Sequence, residues 1–330
     1  MTDIASTEAP AAAGALVETD EGTARLHRAI FIALAVVIAV APFVAYPVFL
    51  MKVMCFALFA LAFNLLLGYG GLLSFGHAAY FGMASYVSAY AAKIWGLTPE
   101  LAILSGTAVA AALGAVFGSL AIRRQGIYFA MITLALAQMA YFFSLQTPRF
   151  TGGEDGIQAV PRGSLLGLVS LAQDRALYWL VAAIFMGGLL LIYRIIHSPF
   201  GQICKAIRDN EPRAISLGYR ANRYKLTVFV LSAGLAGLAG ATKAIVFQLA
   251  SLTDVHWSMS GEVVLMTLVG GLGTVFGPIA GALVIVSMQN YLASLGAWVT
   301  VVQGVIFVTC VILFREGIVG VIAKAIKRPL

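Results

Sequence analysis

The chain is short of charge. Asp, Glu, Lys and Arg together make up only 11% of its 330 residues, where a water-soluble domain carries about 25%. It also lacks any Gly-Lys pair, and therefore any G-x-x-x-x-G-K-[ST] phosphate loop, so it is not expected to bind and hydrolyse ATP by itself. Its three cysteines (Cys55, Cys204, Cys310) lie far apart with no ligand spacing, which excludes a disulfide framework and a cysteine metal site. Its four histidines (His27, His77, His197, His256) are scattered, which speaks against a membrane-embedded enzyme with clustered catalytic groups. No cofactor is expected. Asp and Glu are nearly absent from the middle of the apolar runs. A secondary transporter or channel working alone, the alternative reading, would need such carboxylates for ion or proton coupling.

Apolar length is what the chain has in quantity. Hydrophobic residues make up 61%, mostly in runs near the roughly 20 residues that cross a bilayer. The 34 glycines suit close helix packing and broken helices that line a pathway. The net charge of +7 sits in short loops between apolar runs, as membrane topology requires, and nucleic acid is not the expected partner.

Residues 1–24 are Ala-rich and acidic and read as a disordered tail; no basic start leads into a short apolar core, so they do not read as a signal peptide. Residues 25–330 read as one all-α, polytopic membrane domain of about ten transmembrane helices, some short or broken at glycines. The spans fall at 29–50, 51–68, 71–92, 101–122, 126–146, 176–196, 226–249, 260–272, 275–291 and 298–314. With the N-terminus inside, 15 of the 21 basic residues fall on the cytoplasmic side. Lys52, Lys93, Arg149, Arg162 and Arg175 fall outside, and Lys243 lies within a span near its outer end. This bias supports the topology, with both termini cytoplasmic. The stretch 260–291 reads as two short spans, or as a broken helix with a re-entrant turn. Gly70-Gly71-Leu72 followed by Phe75-Gly76 is echoed by Gly270-Gly271-Leu272 followed by Phe276-Gly277.

The long polar segment 197–225 stands apart. Phe200, Ile203 and Ile207 recur at helical spacing, with Gln202, Lys205, Arg208 and Asp209 on other faces, which predicts an amphipathic helix over 200–209. Asn210-Glu211-Pro212 reads as a helix start, and Gly218 as the stop of a second helix over about 212–217. Two short capped helices at the membrane surface form a docking knob.

This segment resembles a known loop. Ala206-Ile207-Arg208-Asp209-Asn210-Glu211, then Ala214 with Gly218 four residues on, is similar to the cytoplasmic coupling loop of ABC-transporter permeases, specifically the branched-chain amino acid permease family, LivM-type subunit. Gly76-His77-Ala78-Ala79-Tyr80-Phe81-Gly82, Thr151-Gly152-Gly153, Ser232-Ala233 and Gly270-Gly271-Leu272-Gly273-Thr274 agree in order and spacing, over roughly residues 50–315. One departure stands out: where the importer loop begins Glu-Ala-Ala, this chain has Pro212 and Arg213, with Glu211 one residue early.

The resemblance implies a bacterial inner-membrane importer subunit. It would pair with a second, related permease, receive force from two cytoplasmic ATPase subunits, and take its solute from a periplasmic binding protein. The implied solutes are branched-chain or other amino acids, or small polar solutes such as urea and amides. The coupling residues would be Lys205, Arg208, Asp209, Asn210, Glu211, Pro212, Ala214 and Gly218. Polar groups inside spans mark the candidate path: Asn64, Ser74, His77, Thr133, Gln138 and Glu262, with Gln289 and Asn290 closing the ninth span. The loop 147–175, with Thr151-Gly152-Gly153-Glu154-Asp155-Gly156, reads as the largest periplasmic segment, either a contact for the binding protein or a connector.

Overall fold

The structure, a computed structural model, describes residues 9–165, 167, 169–292, 296, 298–313 and 317–326. The Cys310 side chain, Arg315, Lys327, Arg328 and residues 1–8 of the acidic tail fall outside the described part. The fold is all-α. Helix α1 is Ala9–Val44, α2 Pro47–Asn64, α3 His77–Lys93, α4 Pro99–Ala121 and α5 Ile127–Gln146. A one-turn α6 (Pro148–Thr151) precedes α7 (Asp174–Ile196), the two short helices α8 (Pro199–Asp209) and α9 (Glu211–Ser216), and α10 (Ala221–Phe247). Then come α11 (Trp257–Gly270), α12 (Gly277–Tyr291), α13 (Trp298–Leu313) and α14 (Gly317–Ile326). Among the described residues, six helical segments are long and apolar enough to cross a membrane: Arg25–Val44, Pro47–Tyr69, Pro99–Ala121, Ile127–Gln146, Asp174–Ile196 and Ala221–Phe247.

Three boundaries differ from expectation. Helix α1 begins at Ala9, within the stretch read as a disordered tail. The first apolar run ends at Val44, not near residue 50, and Pro47 opens α2. Pro47 has no N–H to continue the preceding ladder and holds Tyr46 extended, at φ −63° and ψ 121°. The span placed at 71–92 becomes helical only at His77, because Gly71 takes φ +69° and the chain runs irregularly over 71–76. The stretch 260–291 is two short helices, α11 and α12, packed on each other around a turn at 271–276.

Helices α2 and α10 form the centre. Every residue of α2 from Val53 to Asn64 is buried. Helix α10 packs on α3 and α4 through small residues. A Cβ at Gly237 would collide with Ala110, and one at Gly240 with the Phe81 carbonyl. Such closeness is how membrane helices gain dispersion contacts where water no longer drives association. The outward faces of α1, α4 and α5 expose large apolar side chains such as Val36, Leu104 and Met131, as a lipid-facing surface does.

The described residues of segment 147–175 carry short helical turns and strands. Its β1 (Ile157–Gln158) pairs antiparallel with β4 (Leu249–Ala250) beyond α10, and β2 (Ser164–Leu165) pairs with β3 (Val169–Ser170). The buried Thr151 hydroxyl donates to the Ser144 carbonyl at 2.5 Å. Arg162 joins Asp174 at 2.7 Å and the Val246 carbonyl at 3.0 Å.

Candidate functional site: the knob and the break above it

Helices α8 and α9 make the expected knob. Ser198 caps α8 by accepting from the Gly201 N–H at 3.3 Å, and Asn210 caps α9 by accepting from the Arg213 N–H at 3.0 Å. The end of α9 is a Schellman turn: Tyr219 N–H donates to the Ala214 carbonyl (3.2 Å) and Gly218 N–H to the Ile215 carbonyl (2.9 Å). The turn needs a left-handed residue, and Gly218 sits at φ +89°. Ile207, Ala214 and Ala221 are buried together, with Ile203 and Tyr224 against them, which ties the two short helices to the start of α10. Pro212 is exposed.

The charged residues of the knob divide by direction. Glu211 faces inward: its Oε2 accepts from Lys225 Nζ at 2.7 Å and from Gln125 Nε2 at 2.8 Å, joining α9 to α10 and to the α4–α5 turn. Its displacement by one residue from the family's loop pattern thus goes with a structural bond. Arg208 reaches up. Its guanidinium donates to the Gly68 carbonyl and holds Asp209 Oδ1 at 2.8 and 2.9 Å. Lys205 Nζ lies 5.4 Å from the centre of the Tyr69 ring. Burial lowers the Lys205 ammonium below its ordinary value, helped by Arg208 and opposed by Asp209.

Gly68 and Tyr69 belong to a single π-helical turn, Leu65–Tyr69, that ends α2. Within this turn the Gly68 carbonyl accepts from Arg208. A Cβ at Gly71 would lie 2.6 Å from Arg208 Cγ, so the glycine gives this side chain its place. The knob is therefore seated directly on the break between α2 and α3.

The candidate path residues surround the same break, mostly as its stitches. Asn64 donates to the Thr274 carbonyl (2.8 Å) and accepts from Gly273 N–H (3.0 Å), so it clasps the α11–α12 turn. Ser74 is buried and accepts from Gly76 N–H at 3.2 Å. Thr133 accepts from Phe75 N–H at 3.1 Å and donates to the Ala130 carbonyl at 2.9 Å. His77 Nε2 lies 2.8 Å from Ser232 Oγ, which itself donates to the Ala62 carbonyl at 2.6 Å. The single hydroxyl proton of Ser232 is thereby used, so His77 donates from Nε2 and Nδ1 is left a bare acceptor, buried without a partner. Gln138 and Glu262 are half-buried on α5 and α11; Glu262 accepts from Gln289 Nε2 at 2.9 Å. Asn290 is exposed.

The family described as branched-chain amino acid transport system / permease component matches residues 46–311. The chain belongs to this permease family. The high-affinity branched-chain amino acid transport system permease proteins LivM of Salmonella typhimurium and Escherichia coli are each 26% identical over 285 residues, 80% of this chain and 65% of the relative. The ribose import permease protein RbsC of Bacillus subtilis is 29% identical over 174 residues, 50% of this chain and 51% of the relative. The chain thus spans somewhat under two thirds of the length of the LivM proteins it matches. No solved structure matches it.

A further buried pair involves α10. Lys243 on α10 and Asp254, in a short 3₁₀ turn, form a buried ion pair at 2.6 and 2.8 Å, with Asp254 also accepting from Ser251 N–H. A lysine inside an apolar run signals a hidden counter-charge, and an acidic residue 11 positions on was the available partner.

Proposed function

We propose that the chain is the membrane-spanning permease subunit of a bacterial ABC importer, moving branched-chain or other amino acids, or similar small polar solutes, inward by alternating access. The seating of the knob on the α2–α3 break carries this reading. A push on α8 and α9 from an ATPase subunit displaces Arg208 and Lys205, and with them the one irregular turn of the central helix. Two ATPase subunits act on this knob and that of a second, related permease, and a periplasmic binding protein delivers the solute. Ten spans with both termini cytoplasmic fit the charge bias, with α3, α11, α12 and α13 as the short or broken crossings beside the six long ones. Residues 197–225 then face the cytoplasm, and the cap at 147–175 faces the binding protein.

In the path, Gln138 and Glu262 keep partial exposure, as does Gln289. Lys52 lies within electrostatic reach of Glu262. Asn64, Ser74, His77 and Thr133 shape the path by holding the break.

The test is uptake into vesicles reconstituted with and without the ATPase subunits; transport that persists without them overturns the proposal. Gly218→Val sharpens it. Nothing lies within 4 Å of a Cβ there, so the substitution acts through backbone strain at φ +89° alone. ATP hydrolysis is expected to continue while uptake falls, with the protein still in the membrane.

A further inference from the structure

Two cavities flank Tyr219. One, between α8 and α9, is lined by Asp209, Asn210 and Arg213 and belongs to the docking face of the knob. The other, of about 360 Å³, is lined by Phe200, Tyr219, Arg220, Arg223, Tyr224 and Thr227, with Gly218 at its edge. Its chemistry is different. It contains two arginines and no acidic residue. Both arginines are exposed, and neither side chain makes an ion pair or hydrogen bond among the described residues. The neighbouring carboxylates are already engaged, Glu211 with Lys225 and Asp209 with Arg208. Aromatic rings form the floor: Phe200 stacks on Tyr224 at 5.8 Å, and Tyr219 meets Tyr224 edge-on at 6.2 Å. The cavity climbs the first two turns of the long helix α10, as far as Thr227, so it opens where that helix enters the bilayer.

We infer that this cavity binds the phosphate headgroup of an anionic phospholipid of the inner leaflet. Unpaired arginines recognise a phosphodiester, aromatic rings settle at headgroup depth, and basic pockets on the cytoplasmic side of transmembrane helices suit anionic headgroups. The docking face, with its mixed charges, has the character expected of a protein partner; the arginine cavity has that of a lipid site. The inference rests on the proposed topology for its leaflet, but not for its chemistry.

The test uses the full-length chain purified in detergent and titrated with phosphatidylglycerol or phosphatidylcholine, with bound lipid read by native mass spectrometry. The wild type is expected to retain phosphatidylglycerol preferentially. R220Q/R223Q is expected to lose roughly ten- to thirty-fold of that retention. R123Q/R124Q, which removes an exposed arginine pair on the α4–α5 turn, is expected to lose none. Thr227→Trp fills the cavity without altering charge and is expected to displace the lipid too, so the inference is tested even if the double arginine variant does not fold. Unchanged retention in Thr227→Trp or in a folded R220Q/R223Q overturns it. So does displacement of the lipid by millimolar inorganic phosphate, which would mark a free-anion site. So does unchanged retention with lost capture of the ATPase subunits, which would mark a protein contact. Detergent has no sides, so a wrong topology would leave these results standing and appear instead as altered accessibility of Ser216→Cys to an impermeant maleimide in intact cells.

Discussion

The two glycine breaks are spelled alike and built alike at one point: each places its second glycine, Gly71 or Gly271, at positive φ, 69° and 125°. They differ in what closes them. The α11–α12 turn closes on itself. Thr274 Oγ1 donates to the Gly271 carbonyl at 2.8 Å and accepts from Gly277 N–H at 3.1 Å. The α2–α3 break is closed largely from outside, by Thr133 of α5 and by Arg208 of the knob. Asn64 joins the two. A self-closed turn is a hinge post. A break held by other elements moves when they move, so under the proposed mechanism the first break is the one expected to convey a push from the knob.

The harshest way to break this comparison is at the point where the two breaks touch. A Cβ at Gly68 would lie 2.8 Å from Gly273 N and closer still to Asn64 Oδ1. Gly68→Val is expected to destabilise the chain by about 3 kcal/mol or more in denaturant unfolding. Gly187→Val, with nothing within 4 Å, is the control. Asn64→Ala comes next. It strands the Gly273 N–H and the Thr274 carbonyl and is expected to cost about 1–3 kcal/mol in the same assay.

Arg208→Ala is expected to cost only about 1 kcal/mol of stability, yet to lower uptake per ATP hydrolysed, while Thr274→Val costs similar stability and leaves that ratio alone. Equal effects of the two on the ratio would erase the distinction between the breaks.

The smallest effect concerns Cys204, buried on the inner face of α8, where burial pushes its thiol up to about 11. The folded value exceeds the ordinary 9.0, so the associated stability is complete below pH 9 and declines as pH rises towards about 11. Cys204→Ala is expected to flatten that slope. Maleimide labelling of Cys204 at neutral pH is expected to be slow, and faster in Arg208→Ala if that arginine seats the knob.

Much of this was legible in the chain. Long apolar runs announce spans because a bilayer leaves the backbone no other partner. Helix α9 was readable to within a residue from Asn210, Pro212 and Gly218, because caps and stops are local chemistry. Pro47 also carried its signal, although hydropathy alone ran the first span through it. A counter-charge for Lys243 was signalled, but that Asp254 folds back onto it was not readable, nor was the reach of Arg208 to Gly68. Each joins groups whose separation along the chain says nothing of their separation in space.

The sequence by itself determined the all-α membrane class and the two-helix knob, which rest on composition, periodicity and short-range capping, and its motifs carried the resemblance to the family. Only the tertiary structure decided that the knob sits on the α2–α3 break, that Asn64 ties one break to the other, and that His77 is a clasp to Ser232. Those outcomes depend on how closely backbones approach, and it is the absence of side chains at glycines such as Gly68 and Gly240, combined with the packing of distant helices, that sets that approach.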